Sequence, residues 1–398
     1  MELVLDQLDA NPADYPSARV PLLPPLAPQP RLADAERIRP LSRFTAADAL
    51  FVRTGRAALA MAMRALELAP GQRVLVPAYH CASMLTPILH FGAEPVYYRL
   101  HDDLSPDLDD LRRRLGPEVR ACILPHYFGI PQTSVVALSE LCRAAGVALV
   151  EDCAHAFFGE VDGRPVGAYG DFAIASSRKF FPGKDGGFLV SNRADLPVPS
   201  GLDHSLVVDL RNLFDSLQLA SRAGHWPWLR PLFRVLEARP RRKAPAPPCA
   251  PVSVSVAAAR EFAITPADLR TAGTRVSRAI IRHSDHALMA AARRNNYRFW
   301  LDAIARLPGI RPLFPDLPAS AVPYVFPVVV DAPERIFPVL KNLGFPIYRW
   351  EYLGPSDCAV SRGYGLSLWQ LPCQQLLTDT ERTWLFDTLR TILEREWH

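Results

Sequence analysis

The feature that most restricts the fold is a regular alternation of strand-like and helix-like segments between residues 55 and 192. The strand-like runs are RVLVPAY (73–79), PVYYRL (95–100), VRACILP (119–125), VALVEDC (147–153), DFAIASS (171–177) and GFLVSN (187–192). They are apolar almost throughout, which is typical of strands buried on both faces of a sheet. Helical apolar spacing begins at 55 and recurs near 81–91, 107–115 and 134–145. We therefore predict an α/β layer fold with a mainly parallel central sheet between helices.

The prolines and the pattern changes suggest the domain organisation. Residues 1–40 include RVPLLPPLAPQPRL, which disfavours helix and central strand, so we predict an arm that is extended on a neighbouring surface or disordered. We assign 41–250 to a large α/β domain with an irregular basic excursion over 201–250. The remainder, 251–398, is predicted to be a smaller α+β domain with long helices over 266–305, a strand over 324–330, a helix over 333–343 and a capping box from Thr378 to Glu381.

Composition excludes several classes of protein. A net charge of +4 on 398 residues is too small to indicate nucleic-acid binding. The seven cysteines include no C-x-x-C pair, so we predict no metal site and a reducing cytoplasm. The first residues, MELVLDQLD, are acidic where a secretory signal is basic, and no apolar run reaches the roughly 20 residues of a membrane-spanning helix.

A local basic segment leaves two interpretations open. Residues 222–243 hold seven basic side chains and one acidic side chain, together with two tryptophans and a phenylalanine. The segment could contact anionic lipid or a polyanion through this mixture of cations and aromatic rings. The alternative, which we prefer from the sequence alone, is an excursion or interface segment whose arginines are solvated.

Lysine is rare in this chain, which has only Lys179, Lys184, Lys243 and Lys341 among its 45 basic residues. An amine can lose its proton and attack a carbonyl carbon, whereas a guanidinium stays protonated. Two of the four lysines lie in the stretch SSRKFFPGKDGG (176–187). Composition alone does not distinguish a catalytic lysine here from surface cations.

Three segments are expected to meet at one edge of the sheet. Asp152 lies where the strand of EDCAH ends, and Ser176, Ser177 and Lys179 follow the end of a later strand. The carboxyl ends of parallel strands line the ligand crevice of an α/β sheet. The helix that begins in TGRAAL (54–59) offers a phosphate site at Gly55, Arg56 and Ala57, with free amides on the last two. An amine, a carboxylate and a phosphate site are what pyridoxal 5′-phosphate (PLP) requires.

The order of these motifs resembles the DegT/DnrJ/EryC1/StrS aminotransferases, fold-type I PLP enzymes that commonly make amino sugars on nucleotide carriers. The similarity extends from about 45 to 395 and includes TGRAAL, EDCAHAFFGEVDGRPVGAYGDFAIASSRK and LWQLPCQQLLTD. The family pattern places its lysine six residues before an acidic residue and Gly-Gly. Lys179 meets this spacing with Asp185, whereas Lys184 does not, so the resemblance implies that Lys179 bonds the PLP aldehyde.

The resemblance also implies roles for other residues. Asp152 would pair with the PLP ring nitrogen, His155 would lie near the ring hydroxyl, and Ser176 or Ser177 would join the Arg56 and Ala57 amides on the phosphate. The sequence departs from the family in three ways. The strand before the lysine is two residues shorter, and the G-Y-N loop is not recognisable in 201–280. The aromatic that stacks on the ring falls at Cys81, for which Tyr79 or His80 are the candidate substitutes.

The resulting expectation is a PLP-dependent aminotransferase with glutamate as the amino donor and a keto-sugar nucleotide as the acceptor. By the same resemblance, the working unit is expected to be a homodimer. One alternative is the family's PLP-dependent sugar dehydratase, in which histidine replaces the lysine, so that Lys179 argues against it. Another is a catalytically idle PLP-fold protein that serves as a binding or assembly partner in a glycan pathway.

Overall fold

The computed structural model describes residues 5–9, 15–28, 40–238 and 263–397 of the chain. In this part of the chain the strands are β1 Asp6–Gln7, β2 Leu50–Val52, β3 Arg73–Pro77, β4 Glu94–Tyr98, β5 Val119–Pro125, β6 Ala148–Cys153, β7 Glu160–Val161, β8 Arg164–Pro165, β9 Phe172–Ser176, β10 Gly187–Ser191, β11 Ile310–Pro312, β12 Val325–Val330, β13 Tyr352–Leu353 and β14 Leu368–Pro372. The helices are α1 Gly55–Ala65, α2 Ala82–His90, α3 Leu108–Arg114, α4 Val135–Ala144, α5 Leu206–Arg222, α6 Arg230–Ala238, α7 Arg275–His283, α8 His286–Ile304, α9 Pro333–Asn342, α10 Ala359–Ser367 and α11 Asp379–Trp397.

A seven-stranded sheet forms the centre of the molecule, in the order β2-β10-β9-β6-β5-β3-β4. The pairs β4–β3, β3–β5, β5–β6 and β6–β9 are parallel. Only β10 runs the other way, antiparallel to both β9 and β2. The predicted mainly parallel sheet is therefore confirmed, and β6 and β9 lie side by side with their carboxyl ends at the same edge.

Apolar packing on both faces of the sheet explains why its strands read as continuous apolar runs. Along β3, Val74 and Val76 pack in the core under α1 and α2, whereas Leu75 between them packs in the core on the opposite face. Successive side chains of a strand point to opposite faces, so a strand covered on both sides needs apolar residues at every position.

A smaller antiparallel sheet, in the order β11-β12-β14, supports the C-terminal part of the chain. Its core contains Trp300 of α8, Phe326 of β12 and Trp369 of β14, and all three are fully buried. The capping box at the start of α11 is present: the Thr378 hydroxyl accepts the Glu381 N–H, and the Glu381 carboxylate accepts the Thr378 N–H. The predicted domain boundary at 250/251 lies outside the described residues and stays a prediction.

The irregular excursion predicted over 201–250 is wrong for the described part of that segment, where α5 and α6 are regular helices. The Ser205 side chain caps α5 by accepting the Val208 N–H, which satisfies one of the free amides of the first turn. The prolines that suggested irregularity begin only at Pro227, after α5 has ended. Residues 239–250, with the densest run of prolines, lie outside the described part.

Two further predictions are corrected in detail. Helix was predicted from 266, but residues 266–274 form turns and a short bridge, and α7 begins after its cap, Thr274. The helical stretch is then interrupted at Ser284–Asp285, where Asp285 caps α8. The N-terminal arm is extended on the surface in its described parts, where β1 pairs with β13 and the Arg19 N–H donates to the Gly344 carbonyl.

Candidate active site

A cavity of about 340 Å³ opens where β6 and β9 end and α1 begins. It is lined by residues from six separate parts of the chain, which include Gly55, Arg56, Cys81, Met84, His126, Tyr127, Asp152, His155, Ser176, Arg178, Lys179 and Trp350. The sheet order brings these segments together because β6 and β9 are adjacent and α1 packs across β9 and β10. The predicted crevice is thus present at the carboxyl edge of the sheet.

Lys179 lies in this cavity, on the short helical turn Ser177–Lys179 that follows β9. Burial lowers the pKa of Lys179 to about 8, although the nearby Cys81 and Asp152 oppose that shift. An amine with this pKa is partly neutral near physiological pH and can act as a nucleophile. Lys184, the other candidate, is exposed and does not line the cavity.

Asp152 is the last but one residue of β6 and places its carboxylate in the same cavity, with 8% of the residue exposed. Burial raises the pKa of Asp152, while its hydrogen bond from the Ala154 N–H and the charge of Lys179 act in the opposite direction. The Ala154 N–H donates to Oδ1 at 2.9 Å and fixes the carboxylate orientation.

The neighbouring Glu151 points to the other face of β6 and holds the surrounding loops in place. It is fully buried, and its two oxygens accept the N–H groups of Gly167, Tyr169 and Gly170 together with a contact from His126 Nε2 at 2.9 Å. Burial alone would raise the pKa of Glu151, but the hydrogen bonds from His126 and the backbone amides outweigh it and lower the pKa. Glu151 therefore supports the site without entering it.

His155 lines the cavity with a neutral ring. Burial and the charge of Lys179 lower its pKa well below the ordinary value. Its Nδ1 accepts the Phe128 N–H at 3.4 Å, which leaves Nε2 to carry the proton and act as a donor. The ring packs against Tyr324 and Trp350, with centroids 4.8 and 5.5 Å away.

The start of α1 differs from the prediction at Ala57. Gly55 and Arg56 line the cavity as predicted, but the Ala57 N–H donates to the Thr54 hydroxyl at 3.1 Å, and Ala57 is not part of the lining. Thr54 is the helix cap, and its hydroxyl accepts a hydrogen bond from the Ala57 amide, which we expected to be free to bind a phosphate. A glycine at 55 suits the close approach to β9, because a Cβ there would lie 3.3 Å from the Ala175 carbonyl oxygen and the Ser176 Cβ.

The two predicted serines are also separated by the structure. Ser176 lines the cavity, whereas Ser177 is buried outside the lining and its hydroxyl donates to the Gly186 carbonyl at 3.1 Å. Ser177 instead stabilises the turn before β10, where Gly186 has a φ of +119° and a Cβ would lie 2.2 Å from the Ser177 hydroxyl oxygen. The phosphate role predicted for either serine is thus open only to Ser176.

The candidate substitutes for the stacking aromatic do not reach the cavity. His80 is buried and accepts the Gly354 N–H, and burial lowers its pKa to about 4. Tyr79 is also buried and packs against Trp350, with ring centroids 4.8 Å apart. The predicted position itself, Cys81, lines the cavity, and its sulfur lies 2.9 Å from the Ser83 hydroxyl.

Sequence reasoning missed three functional residues. Trp350 and Arg178 line the cavity, one as a wall of aromatic surface and the other as a cation beside Lys179. Arg293 is fully buried behind the site, and its guanidinium donates to the carbonyls of Lys179, Pro323 and Tyr324 at 3.0 to 3.1 Å. Arg178 could have been noticed as the neighbour of Lys179, but the other two lie more than a hundred residues away along the chain and have no local motif.

Comparison with known proteins gives a match to one family. Residues 41–196 match the sequence model of the DegT/DnrJ/EryC1/StrS aminotransferase family. The chain is 33% identical over 174 residues to a dTDP-4-dehydro-2,3,6-trideoxy-D-glucose 4-aminotransferase of Saccharopolyspora spinosa, covering 43% of this chain and 45% of the relative. It is 32% identical over 144 residues to a GDP-perosamine synthase of Vibrio cholerae, covering 35% and 39%. The matched part thus spans less than half of these relatives.

Solved structures show the same fold over most of the chain. The aminotransferase TlmJ from Streptoalloteichus hindustanus matches with a TM-score of 0.62 and 22% identity, covering 88% of this chain and 87% of the other. DesV of S. venezuelae, solved in complex with a ketimine intermediate, matches with a TM-score of 0.59 and 21% identity, covering 87% and 85%. The expected fold type I is confirmed by these likenesses.

Proposed function

We propose that this chain, whose residues 41–196 belong to the DegT/DnrJ/EryC1/StrS aminotransferase family, is a PLP-dependent aminotransferase. The proposed reaction moves an amino group from an amino acid, with glutamate the expected donor, to a keto-sugar nucleotide. The observation that carries the proposal is the meeting of Lys179, with its pKa lowered to about 8, and the buried carboxylate of Asp152 in one cavity.

The residues of the cavity fit PLP in kind and in arrangement. The lysine amine suits the aldehyde, the Asp152 carboxylate suits a protonated ring nitrogen, and the start of α1 with Ser176 suits a phosphate. Burial raises the pKa of the Asp152 carboxyl, and the positive charge of a protonated ring nitrogen would act against that rise. When bound, PLP supplies an electrophilic carbon for the amine and an electron sink for the reacting carbon.

The chain's own residues would bind, orient and transfer protons. Gly55, Arg56 and Ser176 would hold the phosphate, and the Asp152 carboxylate would keep the ring nitrogen in its charged form. His155 would donate a hydrogen bond from Nε2 to the ring hydroxyl, because its Nδ1 is already an acceptor. The Lys179 amine would be the base and acid that moves the proton at the substrate carbon.

Arg178 gives a reason to expect a carboxylate-bearing donor. Its side chain lines the cavity next to Lys179, and the residue is exposed, so it is accessible to an incoming amino acid. A guanidinium binds a carboxylate through two parallel hydrogen bonds. Glutamate carries two carboxylates and an amine, and Arg178 would hold one carboxylate while the amine reaches the cofactor.

Amine transfer tests the proposal directly. Purified holoprotein is mixed with glutamate and then with a panel of keto-sugar nucleotides, and amino-sugar formation is followed by mass spectrometry. The expected result is a visible absorption band that shifts with glutamate and an amino-sugar product from at least one acceptor. A protein that binds PLP but transfers no nitrogen from any amino acid would support the idle binding protein instead. The sugar dehydratase is disfavoured because Lys179 lies where that reaction has histidine.

The working unit is proposed to be a homodimer. The residues of one chain that could bind the phosphate are Gly55, Arg56 and Ser176. A phosphate dianion in a cavity needs more hydrogen-bond donors than these three residues supply. A second copy is the expected source of these donors, as the family resemblance implies. Light scattering at assay concentration should give the mass of two chains, and a fully active monomer would contradict this part.

Cytoplasmic localisation stays a prediction from cysteine usage. Among the helices of the described ranges, none combines the length and the apolar character of a membrane span.

A further inference from the structure

Helix α5 has its polar side turned inward, which is the reverse of an ordinary surface helix. Asp209, Asn212 and Ser216 are its buried side chains near the middle. Asn212 donates to the Asp185 carboxylate at 2.6 Å, and Asp209 accepts the Arg275 N–H of α7 at 2.8 Å. These hydrogen bonds hold the middle of the helix against α7 and Asp185 through polar contacts.

The apolar residues of α5 lie on the solvent side instead. Leu206, Val207 and Leu210 are 68%, 76% and 68% exposed. Leu213 and Phe214 lie in the same row and are 37% and 38% exposed. Successive residues of a helix are turned by about 100°, so these five positions form one continuous stripe. A stripe of this kind in water is unfavourable, and such patches mark surfaces that bind a partner.

The segment after α5 also exposes a tryptophan and a leucine. Trp228 is exposed by 70% and Leu232 of α6 by 54%. Phe214 and Phe233 pack edge to face with their ring centroids 5.2 Å apart, which joins α6 to α5. We call the exposed apolar residues of both helices and their connection the apolar face. Its members are Leu206, Val207, Leu210, Leu213, Phe214, Trp228 and Leu232.

Exposed arginines lie on the helices of the apolar face and on the neighbouring α7. Arg211 follows Leu210 on α5, and α7, which packs against α5, exposes a further row of arginines. The carboxylate of Asp209 is buried and bonded inward, whereas Asp215, one turn after Arg211, is half-buried and offsets one of these cations. The exposed arginines of α5, α6 and α7 and their connections are Arg211, Arg222, Arg230, Arg234, Arg275, Arg278 and Arg282.

We propose that the apolar face binds the surface of an anionic lipid bilayer, with the leucines and Trp228 inserted among the lipids and the arginines on the headgroups. Apolar residues with tryptophan on one side and arginine around them are the properties of a helix that lies in a membrane interface. A two-fold contact between copies would place the same patch on both, and the arginines of one copy would face those of the other. An anionic surface neutralises them instead.

Vesicle binding of the full-length holoprotein tests this proposal. The probes are vesicles of phosphatidylcholine with phosphatidylglycerol and vesicles of phosphatidylcholine alone, and bound protein is measured by sedimentation at low and high salt. Binding is expected to the anionic vesicles only and to weaken with salt. Leu210→Gln with Trp228→Gln should reduce binding tenfold or more, and Arg211→Gln by about fivefold, because each basic residue near an anionic surface contributes a factor of that size.

Matched control variants distinguish the face from general surface effects. Val339→Gln with Leu343→Gln alters two other exposed apolar residues, and Arg112→Gln alters an exposed arginine of α3. These variants should bind vesicles as the unaltered protein does, and all variants should retain PLP absorbance and their circular dichroism spectrum. No binding to anionic vesicles, or equal binding to both kinds, would overturn the proposal. So would conversion of a dimer to a monomer by the Leu210 and Trp228 substitutions, which would assign the face to a second copy.

Discussion

The proton affinity of Lys179 offers a quantitative test of the cavity, because the amine must be neutral to bond a carbonyl carbon. Burial lowers the pKa of Lys179 to about 8, with Cys81 and Asp152 opposing that shift and Arg178 adding to it. With a pKa of about 8, roughly a tenth of these amines are neutral at pH 7. That fraction is roughly two hundred times the fraction for a lysine at its ordinary value.

Competitive acetylation of the protein freed of PLP measures this titration. The acetylated fraction of each lysine is read by peptide mass spectrometry over a series of pH values, and the small number of lysines makes the assignment unambiguous. Labelling of Lys179 should reach half its maximum near pH 8. Arg178→Gln should move this midpoint upward, because it removes a neighbouring positive charge, and Asp152→Asn should move it downward, because it removes a negative one.

Two results would refute the reasoning. A midpoint at the ordinary lysine value would mean that the amine is solvated and not held in the cavity. A shift of both variants in the same direction would mean that the neighbouring charges do not act on Lys179 as the structure places them. Arg112→Gln, on the exposed surface of α3, is the matched control and should leave the midpoint unchanged.

Three further predictions concern the cavity and its support. Asp152→Asn should lower the turnover by about a hundredfold or more while PLP still binds, as measured by steady-state kinetics and absorbance, because a neutral amide cannot keep the ring nitrogen protonated. Ser176→Ala should weaken PLP binding by about tenfold in a fluorescence titration, whereas Ser177→Ala should act mainly on stability; equal PLP affinities for the two would contradict the assignment. Arg293→Met should lower the free energy of unfolding in urea by about 3 kcal/mol, since three buried carbonyls lose their donor; an unchanged urea midpoint would show that these contacts contribute little.

The centre of the fold could be predicted because its signals are local and repeated. The apolar runs gave the strands of the large sheet, and the parallel order then placed Asp152 and Lys179 at one edge. Helix α5 could not be predicted in this way. Its apolar stripe faces solvent and its buried side is polar. The usual assumption that the apolar side of a helix packs against the core therefore gives the wrong orientation.

The finer features of the site depend on contacts that sequence spacing does not contain. The Ala57 amide looked free, but the Thr54 hydroxyl accepts it. Ser176 and Ser177 are adjacent and equivalent in the sequence, yet only the turn at Gly186 decides which one faces the cavity. Trp350 and Arg293 reach the site through the C-terminal part of the fold, and nothing near them in the sequence points to β6 or β9.

The attachment point of PLP tests the central claim most directly. Borohydride reduction of the holoprotein, followed by peptide mass spectrometry, identifies the lysine that carries the reduced pyridoxyl group. The modified residue should be Lys179, and Lys179→Ala should abolish both the adduct and amine transfer while Lys184→Ala retains both. A pyridoxyl group on Lys184, or amine transfer by the Lys179→Ala protein, would contradict the account.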